Sequence, residues 1–239
     1  MLADSSGNSF ISGTLGKHVH LKATSLYELL DFIANELPRW RERPERPKET
    51  AEAALTAQLC AHLTSAARLS SGWDNLLFRT EIPDEQCKGR KIDLAPSPCA
   101  ATFWVDGRRS IDFDTLLPIE CKRLPTPKDK VRDEWEYVIN RNASTGGIQR
   151  FKAGYHGGAH NLGAMIAYVQ EEGATTWYSR VTAWIKELVD SGHAGWTMKD
   201  LIRLEMHMED KGVSIYSSSH ARDNELPNIE LRHLWVVME

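Results

Sequence analysis

The sequence predicts an α/β fold: a central mixed sheet flanked by helices, with an antiparallel β extension at its C-terminal end. Three observations carry this expectation. Segments with a helical apolar period alternate with short β-rich segments, in the order helix, strands, helix, strand, helix. The run Asn161–Val169 (NLGAMIAYV) is apolar almost throughout, as suits a strand buried on both faces. The tail holds three further β-rich segments separated by turn residues.

Residues 1–24 are polar, rich in Ser, Gly and His, and without clear period. Residues 25–37 (SLYELLDFIANEL) form an amphipathic helical pattern, with Ser25 as N-cap and Glu28 three residues later. Pro38 is expected to end that helix. The following PRWRERPERPK, with its three prolines, reads as a linker or surface strap. Residues 49–69 are helical and alanine-rich, and Leu55, Leu59 and Leu63 define a buried stripe with Glu52 on its edge. A carboxylate there either snorkels out at the helix end or points into a site.

Strands are predicted at Leu76–Ile82, Lys91–Pro96 and Leu116–Leu124, and between the last two lies a hairpin, Phe103–Asp114, turning at Asp106-Gly107. Helical character returns around Asp133–Asn140 and Gly147–Tyr155. Thr176–Val189 is an amphipathic helix carrying Trp177, Val181, Trp184 and Leu188. Leu201–Glu209, Val213–Ser217 and Ile229–Met238 read as a terminal antiparallel sheet. The organisation is therefore an N-terminal helix and strap (1–48), a core (49–190) and a β extension packed on it (191–239).

Composition narrows the function classes. With 41% apolar and 26% charged residues, the 239-residue chain is globular. Its formal charge of −4 argues against a protein living on phosphate contacts spread over its whole surface. Nucleic-acid-facing charge must be local, and three basic stretches qualify: Pro38 to Lys48, Lys88 to Lys91 (KGRK) and Lys122 to Arg132 (KRLPTPKDKVR). Cys60, Cys87, Cys99 and Cys121 include no CxxC pair, so free thiols are expected in place of a zinc module or a disulfide framework. No apolar run approaches the roughly 20 residues that span a bilayer. The N-terminus lacks the layout of a secretory signal, so no membrane association and a cytoplasmic location are expected. No nucleophile elbow, Walker loop or dinucleotide fingerprint is present.

The chemistry-bearing constellation is Lys91-Ile92-Asp93-Leu94 together with Pro118-Ile119-Glu120-Cys121-Lys122. Residues two apart on a strand share a face, so Glu120 and Lys122 emerge side by side while Ile119 and Cys121 turn to a core. If the two strands are neighbours, Asp93 joins them and a cleft-facing charged set results. Hard divalent ions prefer carboxylate oxygen, and the Cys121 carbonyl would add one more oxygen ligand. A nearby lysine would orient or deprotonate an attacking water, or neutralise a transition state.

These residues resemble the PD-(D/E)XK nuclease superfamily, the restriction-endonuclease-like fold, over roughly the middle half of the chain. That family places an acidic residue on one strand, (D/E)-x-K on the next and a carboxylate on the preceding helix. Here those positions read as Asp93, Glu120-Cys121-Lys122 and Glu52. Ile92 stands where the family name has Pro, and the long gap from Asp93 to Glu120 is explained by the inserted hairpin, across which Asp112 or Asp114 competes with Asp93. The resemblance implies a Mg²⁺-dependent phosphodiesterase, Mn²⁺ substituting, acting on DNA in preference to RNA. Asp93, Glu120, Glu52 and Cys121 would hold metal and Lys122 would serve the attacking water. It also implies a setting in restriction or other defence against foreign DNA, with a homodimer or a partner protein where both strands are cut. A catalytically silent binding or assembly subunit is the other reading.

The helix after the third core strand often adds a polar residue in this family, which makes Gln149 and Arg150 candidate phosphate contacts. The pairs His18/His20 and His156/His160 are weak metal signals, and Gly157-Gly158 opposes helical spacing in the second. The tryptophans fit core positions, with Trp40 and Trp104 near enough to basic residues for base stacking.

Overall fold

The structure, a computed structural model, describes residues 24–105, 108–127, 133–222 and 225–238. The expectations for residues 1–23, for the His18/His20 pair, for the hairpin tip Asp106-Gly107 and for residues 128–132 of the third basic stretch lie outside these described residues.

One seven-stranded mixed sheet organises the chain, in the order β1 (Leu76–Pro83), β2 (Lys91–Pro98), β5 (Ile119–Leu124), β6 (Leu162–Val169), β9 (Ile229–Val237), β8 (Val213–His220), β7 (Arg203–Met208). β5, β6 and β9 are mutually parallel. The strands outside them pair antiparallel. A small separate sheet, β3 (Phe103–Val105) with β4 (Arg108–Ser110), is the expected hairpin. β6 is buried at every position, as its unbroken apolar run requires.

Two apolar layers cover the sheet. α1 (Thr24–Arg41) and α2 (Glu52–Arg68) bury Leu29, Ile33, Leu37, Leu55, Leu59 and Leu63 against one face. α3 (Gly147–Lys152) and α4 (Ala174–Asp190) cover the other, with Trp177, Val181, Trp184 and Leu188 inward as the helical period predicts. Among the described residues no helix is long and apolar enough to cross a membrane.

Five expectations are corrected. α1 does not stop at Pro38 but runs through it to Arg41, because Leu37 and Trp40 are buried on either side and Glu42 N still reaches Pro38 O at 2.9 Å. Trp40 is therefore core, unavailable for stacking on a base. Ser25 lies inside α1 and is not its cap. Residues 133–140 are turns, not helix. The carbonyls of Glu136, Tyr137 and Val138 accept from Gly147, Ile148 and Gln149, so they serve α3 and not a helix of their own. The tail strands are antiparallel to one another as expected, yet they extend the central sheet, because β9 lies parallel along β6.

A polar thread crosses the α3/α4 layer. Trp235 Nε1 donates to Tyr137 Oη (2.8 Å), and that hydroxyl lies 2.7 Å from His233 Nδ1. His233 Nε2 is 2.7 Å from Ser218 Oγ, which is 2.6 Å from His220 Nε2, whose Nδ1 is 2.6 Å from Asp200 Oδ1. Burial pushes the His233 imidazole down from 6.5 to about 3, helped by His220 and Arg232, and burial lowers His220 against the pull of Asp200. Both rings are therefore neutral in the native protein, whereas in the unfolded chain they take up protons below about 6.5. Stability is thus intact above that pH and is lost as pH falls from 6.5 towards 3. His233 alone should remove roughly 2 kcal/mol between pH 7 and pH 5. Urea unfolding at the two pH values measures it, and an unchanged midpoint would contradict the burial of these rings.

Candidate active site

β2 and β5 meet in antiparallel register with Leu94 opposite Ile119, which sets Asp93 beside the start of β5. That is the one registered pair between them, against seven between β1 and β2, which skip Glu81 and Asp93. The seam is completed by a side chain: Cys121 N donates to Asp93 Oδ2 at 2.8 Å. Alternation along β5 turns Ile119 and Cys121 into the α1/α2 layer and Glu120 and Lys122 to the opposite face.

The sequence places that charged pair in a cleft, but the structure encloses it. Glu120 is fully buried and Lys122 is 4% exposed. Lys122 Nζ lies 2.7 Å from Glu120 Oε1, 3.6 Å from Glu52 Oε1 and 3.8 Å from Asp93 Oδ2, and it donates to the Cys121 carbonyl at 3.1 Å. Glu52, the first residue of α2, reaches this point from the edge of its helix stripe, and its second oxygen accepts from Arg123 N at 3.1 Å. Three carboxylates from three elements thus converge on one ammonium.

α3 closes the site. Arg150 Nη1 is 2.5 Å from Glu120 Oε1. His156 Nδ1 is 2.9 Å from Glu120 Oε2, a close pair that misses hydrogen-bond direction. The sequence sets His156 at the end of the cluster that holds Gln149 and Arg150, and beside His160, but does not pair it with Glu120. The available signal was Gly157: its left-handed backbone (φ +62°) turns the loop onto β5, where a Cβ would meet Pro118 Cγ at 2.7 Å.

The electrostatics follow from this enclosure. Burial alone would raise the Glu120 carboxyl, but Lys122, then His156 and Arg150, hold it ionised well below the usual carboxylate range. Burial alone would lower Lys122, but Glu120, Asp93 and Glu52 keep it firmly cationic. Asp93 goes the other way. Burial and then the neighbouring Glu120 charge push it up to about 7, against Lys122 and the Cys121 N–H. The Cys121 thiol is buried and raised, while its carbonyl accepts from Lys122 Nζ.

The remaining candidates are placed as follows. Asp112 is exposed and Asp114 accepts from Ile111 N at 2.8 Å in the turn before β5, so Asp93 is the acidic residue that meets Glu120. Gln149 Oε1 is committed to Gly146 N (3.0 Å) and Asn140 N (3.2 Å), capping α3. In the second basic stretch Arg90 contacts Ser144 and stacks over Tyr155, while Lys91 pairs with Glu81. Trp104 is 53% exposed on the hairpin, beside its cross-strand partner Arg109.

The donor set of Glu52, Asp93, Glu120 and the Cys121 carbonyl is hard oxygen throughout, the chemistry Mg²⁺ and Mn²⁺ require. Among the described residues no three His, Cys, Asp or Glu side chains form a group that could hold a metal ion, and the Lys122 ammonium stands where the carboxylates meet.

The placement of Arg150 depends on a close backbone approach. A Cβ at Gly146 would sit 2.3 Å from Ile139 Cα and 2.5 Å from Asn140 N. Gly146→Ala should therefore shift α3 and lower stability by about 3 kcal/mol, with loss of any activity that needs Arg150. Denaturant unfolding checks it; a variant as stable as the parent would show that the approach is not required. Comparison with family models, with curated proteins and with solved structures returned no match to this chain.

Proposed function

We propose that this chain is a divalent-metal-dependent endonuclease of the PD-(D/E)XK kind, with DNA as its substrate. One observation carries the reading: carboxylates delivered separately by α2, β2 and β5 converge on a lysine that shares a strand and a face with one of them. A surface ion pair has no need of three acidic partners, and stability alone gives little reason to bury such a set.

Glu52, Asp93, Glu120 and the Cys121 carbonyl would hold the ion. When bound, Mg²⁺ or Mn²⁺ would polarise the scissile phosphate and lower the pKa of a coordinated water. Lys122, whose proton is held by three carboxylates, acts as a hydrogen-bond donor and a positive charge, and not as the base. Arg150 fixes Glu120 through one nitrogen, while its buried Nε has no hydrogen-bond partner among the described residues and would serve a phosphate oxygen.

The test is direct. Purified protein with Mg²⁺ or Mn²⁺ should cleave DNA, and cleavage surviving Glu120→Ala or Lys122→Ala overturns the assignment. A second reading, a nuclease-fold binding or assembly subunit without turnover, is favoured by the ammonium at the carboxylate focus. Titration with Mn²⁺ separates the two: saturable binding lost in Asp93→Ala supports the enzyme, and no binding supports the silent subunit.

A further inference from the structure

We propose that the buried thread from Trp235 through Tyr137, His233, Ser218 and His220 to Asp200 is a one-directional hydrogen-bond wire that clamps α3 at both ends and so fixes Arg150 against Glu120. Ser218 and His220 are its positioning residues. The functional consequence rests on the nuclease reading above; the wire itself does not.

The direction follows from which atoms are able to donate. An indole N–H only donates, so Tyr137 accepts from Trp235 and spends its own proton on His233 Nδ1. His233 is then the Nε2–H tautomer and donates to Ser218 Oγ. Ser218 passes its proton towards His220 Nε2, which makes His220 the Nδ1–H tautomer, donating to Asp200 Oδ1. Asp200, held ionised by His220 and Lys152, accepts only. No other arrangement satisfies every member with both rings neutral.

Both ends of the wire hold α3. Tyr137 belongs to the segment whose carbonyls accept the first N–H groups of α3, from Gly147, Ile148 and Gln149. At the other end Asp200 Oδ1 also takes Lys152 Nζ, the last residue of α3, at 2.5 Å, while Asp200 Oδ2 is fastened to Thr197 N at 2.7 Å. Arg150 lies between the two anchors.

Ser218, His220 and Asp200 have the contacts of a nucleophilic triad. Ser218 is nevertheless buried and held on its second side by His233, so it transmits and does not attack. The ionisable groups around the two rings are Asp200 on the turn before β7, Lys152 on α3, Arg232 on β9 and Tyr137. A proton added at His220 Nε2 would leave the Ser218 hydroxyl without an acceptor, because His233 already donates to it. The wire then opens at its middle.

Nitrogen NMR of ¹⁵N-histidine in the intact chain reads the wire without any assay of activity. His233 should be the neutral Nε2–H form and His220 the neutral Nδ1–H form at pH 7; the opposite tautomer of either, or a charged ring, overturns the proposal. Ser218→Ala should accelerate amide exchange of Gln149–Lys152 at least tenfold and leave α4 unchanged, and Ser218→Thr should restore the wild-type rate. Exchange at the wild-type rate in Ser218→Ala overturns the clamp. In DNA cleavage, Ser218→Ala should lower kcat at unchanged KM and move the acid limb of the pH profile upward, whereas an unshifted limb overturns the link to Arg150. If the wild type cleaves nothing, the nuclease reading fails while NMR and exchange still decide the wire.

Discussion

Glu120→Gln is expected to reduce metal-dependent cleavage on the order of 10³-fold and to lower stability by about 3–5 kcal/mol. The two effects share one cause. Glu120 is the fully buried anion against which Lys122, Arg150 and His156 are arranged, so a neutral amide leaves two enclosed cations facing each other with their common partner gone. Breaking a buried ion network from one side costs far more than the network contributes, because the abandoned charges stay out of water. Cleavage assays with Mg²⁺ and urea unfolding of the same preparation measure both. A variant that lost activity but kept full stability would show that Glu120 is less enclosed than described.

Lys122→Met should separate the two quantities that Glu120→Gln couples. Cleavage should fall roughly 10²-fold or more, because the positive charge that Lys122 places among the three carboxylates is gone. Mn²⁺ affinity should rise, roughly tenfold, because the ammonium occupies the point at which the carboxylates converge and competes with an added cation. Without metal the variant should be less stable, since Asp93, Glu120 and Glu52 then repel one another. Calorimetric titration with Mn²⁺ is the deciding measurement. Weaker binding than in the parent would mean that the lysine organises the carboxylates and does not compete for them.

Much of this site was legible in the residues. Strand alternation put Glu120 and Lys122 on one face, apolar flanks placed Asp93 in a core strand, and the helical stripe carried Glu52 to its edge. The choice of Asp93 over Asp112 and Asp114 needed the β2–β5 register, which no local pattern encodes. The burial of the charged pair was also out of reach, because it arises from α3 closing over the sheet. The pairing of His156 with Glu120 was not legible, since its partner lies on a distant strand. In the fold, long periodic segments such as α2, β6 and α4 emerged where the pattern placed them. The errors fell where tertiary contacts override local preference, at Pro38, whose flanking residues are buried, and at residues 133–140, whose carbonyls serve α3. The apolar run of β6 announced a buried strand but not that β9 would lie parallel beside it.

The single registered pair between β2 and β5 gives the molecule a mechanical character. Elsewhere in the sheet neighbouring strands are sewn along their length by backbone, but here one stitch is the Asp93 carboxylate itself, looped over Cys121 N. The seam therefore draws on Asp93 Oδ2, the same oxygen that lies 3.8 Å from Lys122 Nζ. A cation drawing on that oxygen should compete with Cys121 N, and so should weaken the boundary between the β1–β2 ribbon and the five strands beyond it. The sheet has one thinly registered boundary, and the carboxylate cluster around Lys122 lies along it.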